Sequence, residues 1–478
     1  MASLKTNVIL NYINTITGII FPVITFPYAS RILLPEGIGL VNFQASIISY
    51  IVLFTSLGIP LYAVKEIAKY RDNIALRNKV TVEITALSIL LSLVGYIAVF
   101  IIGKFAPQIN THLSLFYILS LNILFTSLGV NWFYQAIEDF KFITIRAVAI
   151  RTLAAASLFI FVKDKSDLLI YGAITVGSTV GNNFINFIHL RKYIPIKTLK
   201  SVKLNIFKHL KPALHIFVLN LIISIYVQLN TIMLGFMDGD YAVGIYTAGN
   251  KIPHILLSLV TSMGVVLLPR CSNLVASGKL EEFKSVCNKA IRLVLILSLP
   301  FTTGLILLAE PIISIFCGDA FIEAVPVIYW TAPVILFIGL TNVIGIQILY
   351  PLSKENIVIY STLGGAIVNF ILNLLLIPKY SAIGAGISTF AAELAVLTIQ
   401  IIAGKKYIPV SIFNKTNIKY LIATIFMTLI ILPIVYFVNN VWLQLILTTT
   451  VGAIVFGLIL IHSKDEIVLG ILKYITKR

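Results

Sequence analysis

VTVEITALSILLSLVGYIAVFII, Val80–Ile102, is preceded by KYRDNIALRNK, Lys69–Lys79. Twenty or so predominantly apolar residues at 1.5 Å each cross a hydrocarbon core of about 30 Å, so this stretch reads as a transmembrane helix with a basic collar. The pattern recurs along the chain. Spans are predicted at 7–33, 40–64, 80–102, 112–133, 142–162 and 167–190, then at 211–236, 243–268, 289–309, 324–350, 355–377, 382–403, 418–438 and 441–462. The runs are continuous rather than alternating, which favours helices over a barrel, since lipid demands that each backbone polar group be satisfied internally.

Composition agrees. Of 478 residues 59% are hydrophobic and 12% charged, against roughly 25% charged in a soluble protein. The net charge of +17 does not indicate nucleic acid, because the basic residues sit in short loops between apolar runs. One set of loops and helix edges carries Lys65, Lys69, Arg71, Arg77 and Lys79, then Lys141 and Arg146, then Arg191 to Lys211, Arg270 to Arg292, Lys354, Lys405 to Lys419 and the tail from Lys464 to Arg478. The alternate set holds Arg31, Lys104, Lys163, Lys165, Lys251 and Lys379. A bias of roughly five to one places both termini in the cytoplasm. The N-terminus runs straight into an apolar segment without a small-residue cleavage site, so it reads as a retained first helix. Cys271, Cys287 and Cys317 form no CxxC pair and no zinc spacing. No metal and no cofactor are expected.

An internal repeat is visible. GLVNFQA (Gly39–Ala45) and SLGIPLYAVKEIA (Ser56–Ala68) are echoed by GIYTAGN (Gly244–Asn250) and SMGVVLLPRCSNL (Ser262–Leu274), pairing Gly39 with Gly244, Ser56 with Ser262 and Gly58 with Gly264. Six helices per unit is even, so the units share one topology and form a parallel repeat, with substrate handled between them. The expected architecture is an all-α polytopic membrane protein of about fourteen helices. Two six-helix lobes, 1–195 and 212–405, are joined by a basic linker, 196–211, and two extra helices and a tail occupy 406–478.

Ionisable groups deep in a span cost about 2.5–3.5 kcal/mol each and normally face a bundle interior or a wet cavity. Arg31 follows two prolines of the first span, and Arg151 lies about 12 Å into the fifth. Lys251 is comparably deep in the eighth, and Glu393 is near the middle of the twelfth. Asn42, Gln44, Gln228, Asn230 and Asn250 are polar neighbours on equivalent helices. Plainer readings stand beside these: Arg31 and Lys251 snorkel to the interface, Arg151 is a topology anchor, Glu393 is protonated or paired within a lobe, and the amides bond helix to helix. There is no G-x-x-x-x-G-K-[ST], HExxH or GxSxG, and no loop large enough for a catalytic or ATPase domain.

Four stretches together resemble the Wzx-type polysaccharide (O-antigen or capsule) flippases of the multidrug/oligosaccharidyl-lipid/polysaccharide exporter superfamily. They are FPYASRILLPEGIGLVNF (Phe26–Phe43), NWFYQAIEDFKFITIR (Asn131–Arg146), LNTIMLGFMDGDYAVGIYTAGNKI (Leu229–Ile252) and LLLIPKYSAIGAGISTFAAE (Leu374–Glu393). The resemblance spans nearly the whole chain. It implies a fold like that of the multidrug and toxin extruders, in the cytoplasmic (inner) membrane of a bacterium. It implies translocation, not enzymatic chemistry, of an undecaprenyl-pyrophosphate-linked oligosaccharide between leaflets through a cationic cavity. Implied partners are that lipid-linked glycan, the bilayer, a polysaccharide polymerase and a chain-length regulator.

On this reading Arg31, Arg151 and Lys251, with Asn42, Gln44, Asn230 and Asn250, meet the headgroup, and Glu393 is the ion-coupling candidate. Many relatives carry an acid where this chain has Asn230, so that coupling site is either absent or replaced by another carboxyl such as Glu393. The rivals are a lipid II flippase, a drug or cation antiporter of the same fold, a polymerase or ligase acting on the same lipid-linked sugar, and a major-facilitator transporter. The last would carry a G-x-x-x-D-R-x-G-like motif where this chain reads KEIAKYRDNIALRNK, Lys65–Lys79.

Overall fold

The computed structural model describes residues 4–194, 204–412 and 414–470, without the side chains of 4–9, 11, 12, 218–227, 263, 265, 266 and 415. The linker cations Lys197, Lys200 and Lys203 and the tail cations Lys473, Lys477 and Arg478 lie outside the described residues. Among the described residues the regular structure is helical, with no strand.

In chain order the helices are α1 (Leu4–Ser56), α2 (Ile59–Lys69), α3 (Ile74–Phe105), α4 (Pro107–Asn110), α5 (Leu113–Leu128), α6 (Asn131–Ala136), α7 (Phe140–Phe161), α8 (Leu168–Leu190) and α9 (Leu210–Met237). They continue as α10 (Asp240–Ala276), α11 (Leu280–Leu307), α12 (Ala309–Phe316), α13 (Val325–Thr331), α14 (Val334–Asn342), α15 (Glu355–Gly404), α16 (Lys415–Phe437) and α17 (Val441–His462).

Among the described residues ten helices are long and apolar enough to cross a membrane, or eleven if the pair Asp319–Thr331 and Val334–Leu349, bent by 42°, forms one span. Two of the ten hold two expected spans each. α1 is kinked at Leu34 (φ 59°, ψ 179°), which precedes Pro35, and α15 at Ser381 (φ 52°), three residues after Pro378. Proline removes an amide donor and disfavours helical geometry in the residue before it, so the hydrogen-bond ladder breaks there. With α9 added, the helices are compatible with fourteen spans.

One expected boundary shifts. The second span, 40–64, is broken at Leu57 and Gly58, both with positive φ, so that α1 ends at Ser56 and α2 restarts the helix. Gly58 is required by close approach: a Cβ there would stand 2.8 Å from Phe217 N and 2.9 Å from Ala213 O.

The chain packs as two compact units, Met1–Gly244 and Ile245–Arg478. In the first, α1 lies against α3, α5, α7 and α9, and α5 against α8. Its most enclosed core gathers Ile59, Tyr62, Ile84, Leu87, Trp132, Phe133 and Tyr134 from α2, α3 and α6. In the second, α11 packs on α14 and α16, α15 on α13 and α14, and α16 on α17. Large apolar side chains such as Leu93, Phe100, Leu153, Leu375 and Leu429 stay exposed, as expected where the solvent is lipid.

Within the first unit, the two glycines paired by the sequence repeat meet each other. A Cβ on Gly39 would fall on Asp240 O, 2.7 Å from Gly244 N, and a Cβ on Gly244 would fall on Pro35 O. The contact is reciprocal, as symmetry-related positions at one crossing require.

The root of α9 is fastened to α3 by a buried polar cluster. Glu83, fully buried, accepts from Asn205 N–H (2.8 Å) and from His209 Nε2 (3.0 Å), and pairs with Lys208 Nζ (2.7 Å). His209 Nδ1 and the Tyr62 hydroxyl are 2.7 Å apart. With Nε2 donating to the carboxylate, Nδ1 accepts from Tyr62, so a neutral imidazole satisfies both contacts.

Burial pushes His209 below its ordinary value, ahead of the opposing pull of Glu83; Lys208 adds to the lowering and Glu66 opposes it. The unfolded chain therefore takes up a proton below about pH 6.5 before the folded chain does, and stability falls as pH drops from that point toward the folded pKa. Thermal unfolding of the wild type should lose more between neutral pH and about pH 5 than that of His209→Gln, which cannot titrate.

Candidate functional site

The polar residues of the first unit line two separate stretches of α1. Toward its start, Arg151 reaches from α7: Nη1 donates to Asn14 O (2.8 Å), Asn14 Oδ1 (3.0 Å) and Thr17 Oγ1 (2.8 Å). Gly18 makes room, since a Cβ there would sit 3.5 Å from Nη2. These acceptors are neutral, so the guanidinium is held by one nitrogen. Nε and Nη2 make no hydrogen bond with the described residues, and Arg151 is half-buried.

Past the kink, Asn42 Nδ2 donates to Ile38 O (2.7 Å), which ties it to its own helix. Gln44 is fully buried; Nε2 donates to His112 O (3.4 Å), while Oε1 has no partner among the described residues. Ser46 donates to Gln228 Oε1 (3.1 Å), joining α1 to α9, and Asn230 is buried two residues further on. Arg31 is exposed and donates to Pro27 O at 3.3 Å. It lies fourteen residues beyond Thr17 on the same helix, roughly 20 Å away, so the structure does not bring Arg31 and Arg151 together.

In the second unit Asn250 Nδ2 donates to the Tyr246 hydroxyl (3.4 Å), which lies 3.3 Å from Thr389 Oγ1 on α15. Glu393, one turn beyond Thr389, is 6% exposed. The contacts from Asn250 thus reach α15 one turn before Glu393. Lys251 is half-buried on the adjoining face of α10.

Sequence reasoning missed three features. Gln347 lies on a π-helical turn, Val343–Leu349, and Gln400 on α15; both are 2% exposed, with an Oε1 unpartnered among the described residues. Such turns often occur at functional sites. Arg146, grouped above with the loop cations, is a buried residue of α7. Glu83 and His209 are 126 residues apart, and linear reading has no means of pairing them.

Residues 4–275, more than half of the chain, match the family model described as "Polysaccharide biosynthesis protein", and residues 216–375 match the model MatE. The chain is 26% identical over 407 residues to a protein of Escherichia coli (strain K12) named "Putative O-antigen transporter", covering 84% of this chain and 96% of that one. Among solved structures, the lipid II flippase MurJ in an inward closed conformation superimposes with a TM-score of 0.67 at 17% identity, covering 96% of this chain and 100% of that one. An inward-facing multidrug resistance MATE family transporter of the MOP superfamily gives 0.64 at 13% identity, covering 81% and 94%. At such identities the structural likeness establishes the fold, and the family model carries the assignment. The chain belongs to the polysaccharide biosynthesis protein family and is a multi-pass membrane flippase of the Wzx type within the MOP exporter superfamily, a transporter rather than an enzyme.

Proposed function

We propose that this flippase moves an undecaprenyl-pyrophosphate-linked oligosaccharide repeat unit from the cytoplasmic to the outer leaflet by alternating access, driven by an ion gradient. The observation that carries this reading is Arg151. Three neutral acceptors hold it by one nitrogen, leaving a charged, oriented fork suited to bidentate phosphate contact. Arg31 and Lys251 supply further positive charge along the path, and Asn42, Gln44, Asn230 and Asn250 contact the sugars and pyrophosphate.

Glu393, the buried carboxyl near Asn250, takes the coupling role in place of an acid at position 230. The lobes are those of the repeat, 1–195 and 212–405, joined by the basic linker. The protein sits in the cytoplasmic (inner) membrane with both termini inside, alongside a polymerase and a chain-length regulator. The name of the Escherichia coli relative supports an O-antigen class of cargo.

The test is transbilayer movement of a labelled undecaprenyl-pyrophosphate glycan in proteoliposomes, with lipid II as a second cargo. Arg151→Ala is expected to slow movement roughly tenfold or more, the loss of a charged hydrogen bond worth about 1.5–3 kcal/mol. Glu393→Gln is expected to abolish acceleration by an imposed pH gradient. Normal transport by Arg31→Ala and Lys251→Ala at equal expression would remove those residues from the site, and movement of lipid II alone would replace the cargo.

A further inference from the structure

Several polar groups that the transport reading does not use gather in one layer of the first unit, where α6, α7 and α8 meet. Arg146, on the second turn of α7, is 8% exposed. Its Nε donates to Asn182 Oδ1 at 3.0 Å and its Nη2 to Asn131 Oδ1 at 3.3 Å, with the Phe142 ring 5.3 Å from the guanidinium carbon. These contacts fix the side chain, but none supplies a negative charge. Nη1 is buried without a partner among the described residues.

The chain has nineteen acidic residues, all among the described residues, and Arg146 forms an ion pair with none of them. The two acids at the foot of α7 are engaged elsewhere. Glu138 pairs with Arg71, while Asp139 accepts from Phe142 N–H and from the Tyr193 hydroxyl. Arg77, over the Phe133 ring, adds further positive charge to the region.

Arginine does not shed its proton in proteins, and a buried charge needs a partner. Beside Arg146 are the groups such a partner would use. Among the described residues Asn186, fully buried and one turn from Asn182, has both side-chain polar atoms unpartnered, and the buried Nδ1 of His189 is unpartnered as well. His189 is stacked on Phe142 at 4.0 Å, and the Tyr134 hydroxyl is occupied by the Asn186 carbonyl at 2.7 Å. A buried water could satisfy Asn186, but it would leave the guanidinium without a counter-charge.

We propose that this layer binds a small inorganic anion of halide size, held by Arg146 Nη1 and the Asn186 side-chain amide and flanked by His189 Nδ1–H. The anion joins α6, α7 and α8 at the segment Asn131–Arg146, whose first and last residues both belong to the layer. Full burial of Asn186 favours a small anion over an oxyanion of phosphate size.

The probe is chloride. Thermal unfolding of the full chain in detergent is measured as chloride replaces gluconate at constant ionic strength, with a parallel series in sulfate. Wild type should gain unfolding temperature saturably with chloride and not with sulfate, and Arg146→Gln should show no gain. Asn186→Asp places a carboxylate beside the guanidinium. It should be as stable without chloride as wild type is with it, and should not respond to chloride. If Arg146→Gln does not fold, Asn186→Asp decides alone. A wild type indifferent to chloride, an equal response to sulfate, or a chloride response retained by Asn186→Asp overturns the proposal.

Discussion

Gly39→Val should prevent the protein from accumulating as a folded, transport-competent species, and Gly244→Val should do the same. A side chain at either position falls on backbone of the other crossing segment: Asp240 O for Gly39, Pro35 O for Gly244. Overpacking of a core typically costs about 1–3 kcal/mol when side chains can shift; here the obstacle is main chain, so whole helices must part. The reciprocal geometry predicts that the two single variants fail alike. Gly177→Ala is the control. Nothing lies within 4 Å of a Cβ at that position, and alanine is favoured over glycine in a helix by roughly 0.5–1 kcal/mol. Membrane yield, size-exclusion profile and thermal unfolding of these variants read the effect directly; a Gly39→Val protein as abundant and stable as wild type would mean that α1 and α10 do not cross as described.

Glu83→Ala carries the second large effect, a loss of about 3–5 kcal/mol, the usual result of removing one partner from a buried ion pair. The carboxylate is fully buried and serves Asn205 N–H, His209 and Lys208 together. Its removal orphans the first two, and His209, 1% exposed, cannot turn to solvent. Lys208 is 42% exposed and can turn to solvent, so Lys208→Met should cost far less than Glu83→Ala. The detachment should be local at first, with the root of α9 losing its hold on α2 and α3. Hydrogen exchange at 205–213 would rise before global unfolding begins. Equal protection of that segment in wild type and Glu83→Ala would exclude the cluster as its anchor.

Much of this molecule is legible in the sequence because the membrane imposes a one-dimensional rule. A run such as Val80–Ile102 must be helical, since lipid offers no partner to a bare peptide group, and basic collars orient it. The predicted gaps between spans at 34–39 and 378–381 fall where α1 and α15 kink, at Leu34 and Ser381, and the pairing of Gly39 with Gly244 is readable as an offset. Their physical meeting is not, because an offset says nothing of which backbones touch.

The charged residues show the same division. Charge bias grouped Arg146 with the loop and helix-edge cations, a few residues inside the predicted span 142–162; the fold surrounds it with Asn131 from α6 and Asn182 from α8. Arg151 was picked out by depth alone, but its three acceptors on α1 come from residues some 134 to 137 positions away. Hydropathy thus determined the helices, and the resemblance of four stretches to a known family gave the class of transporter. Which buried charges are paired, which are held by neutral groups and which lack a counter-charge was decided only by tertiary packing, because the cost of burying a charge depends on neighbours distant in sequence.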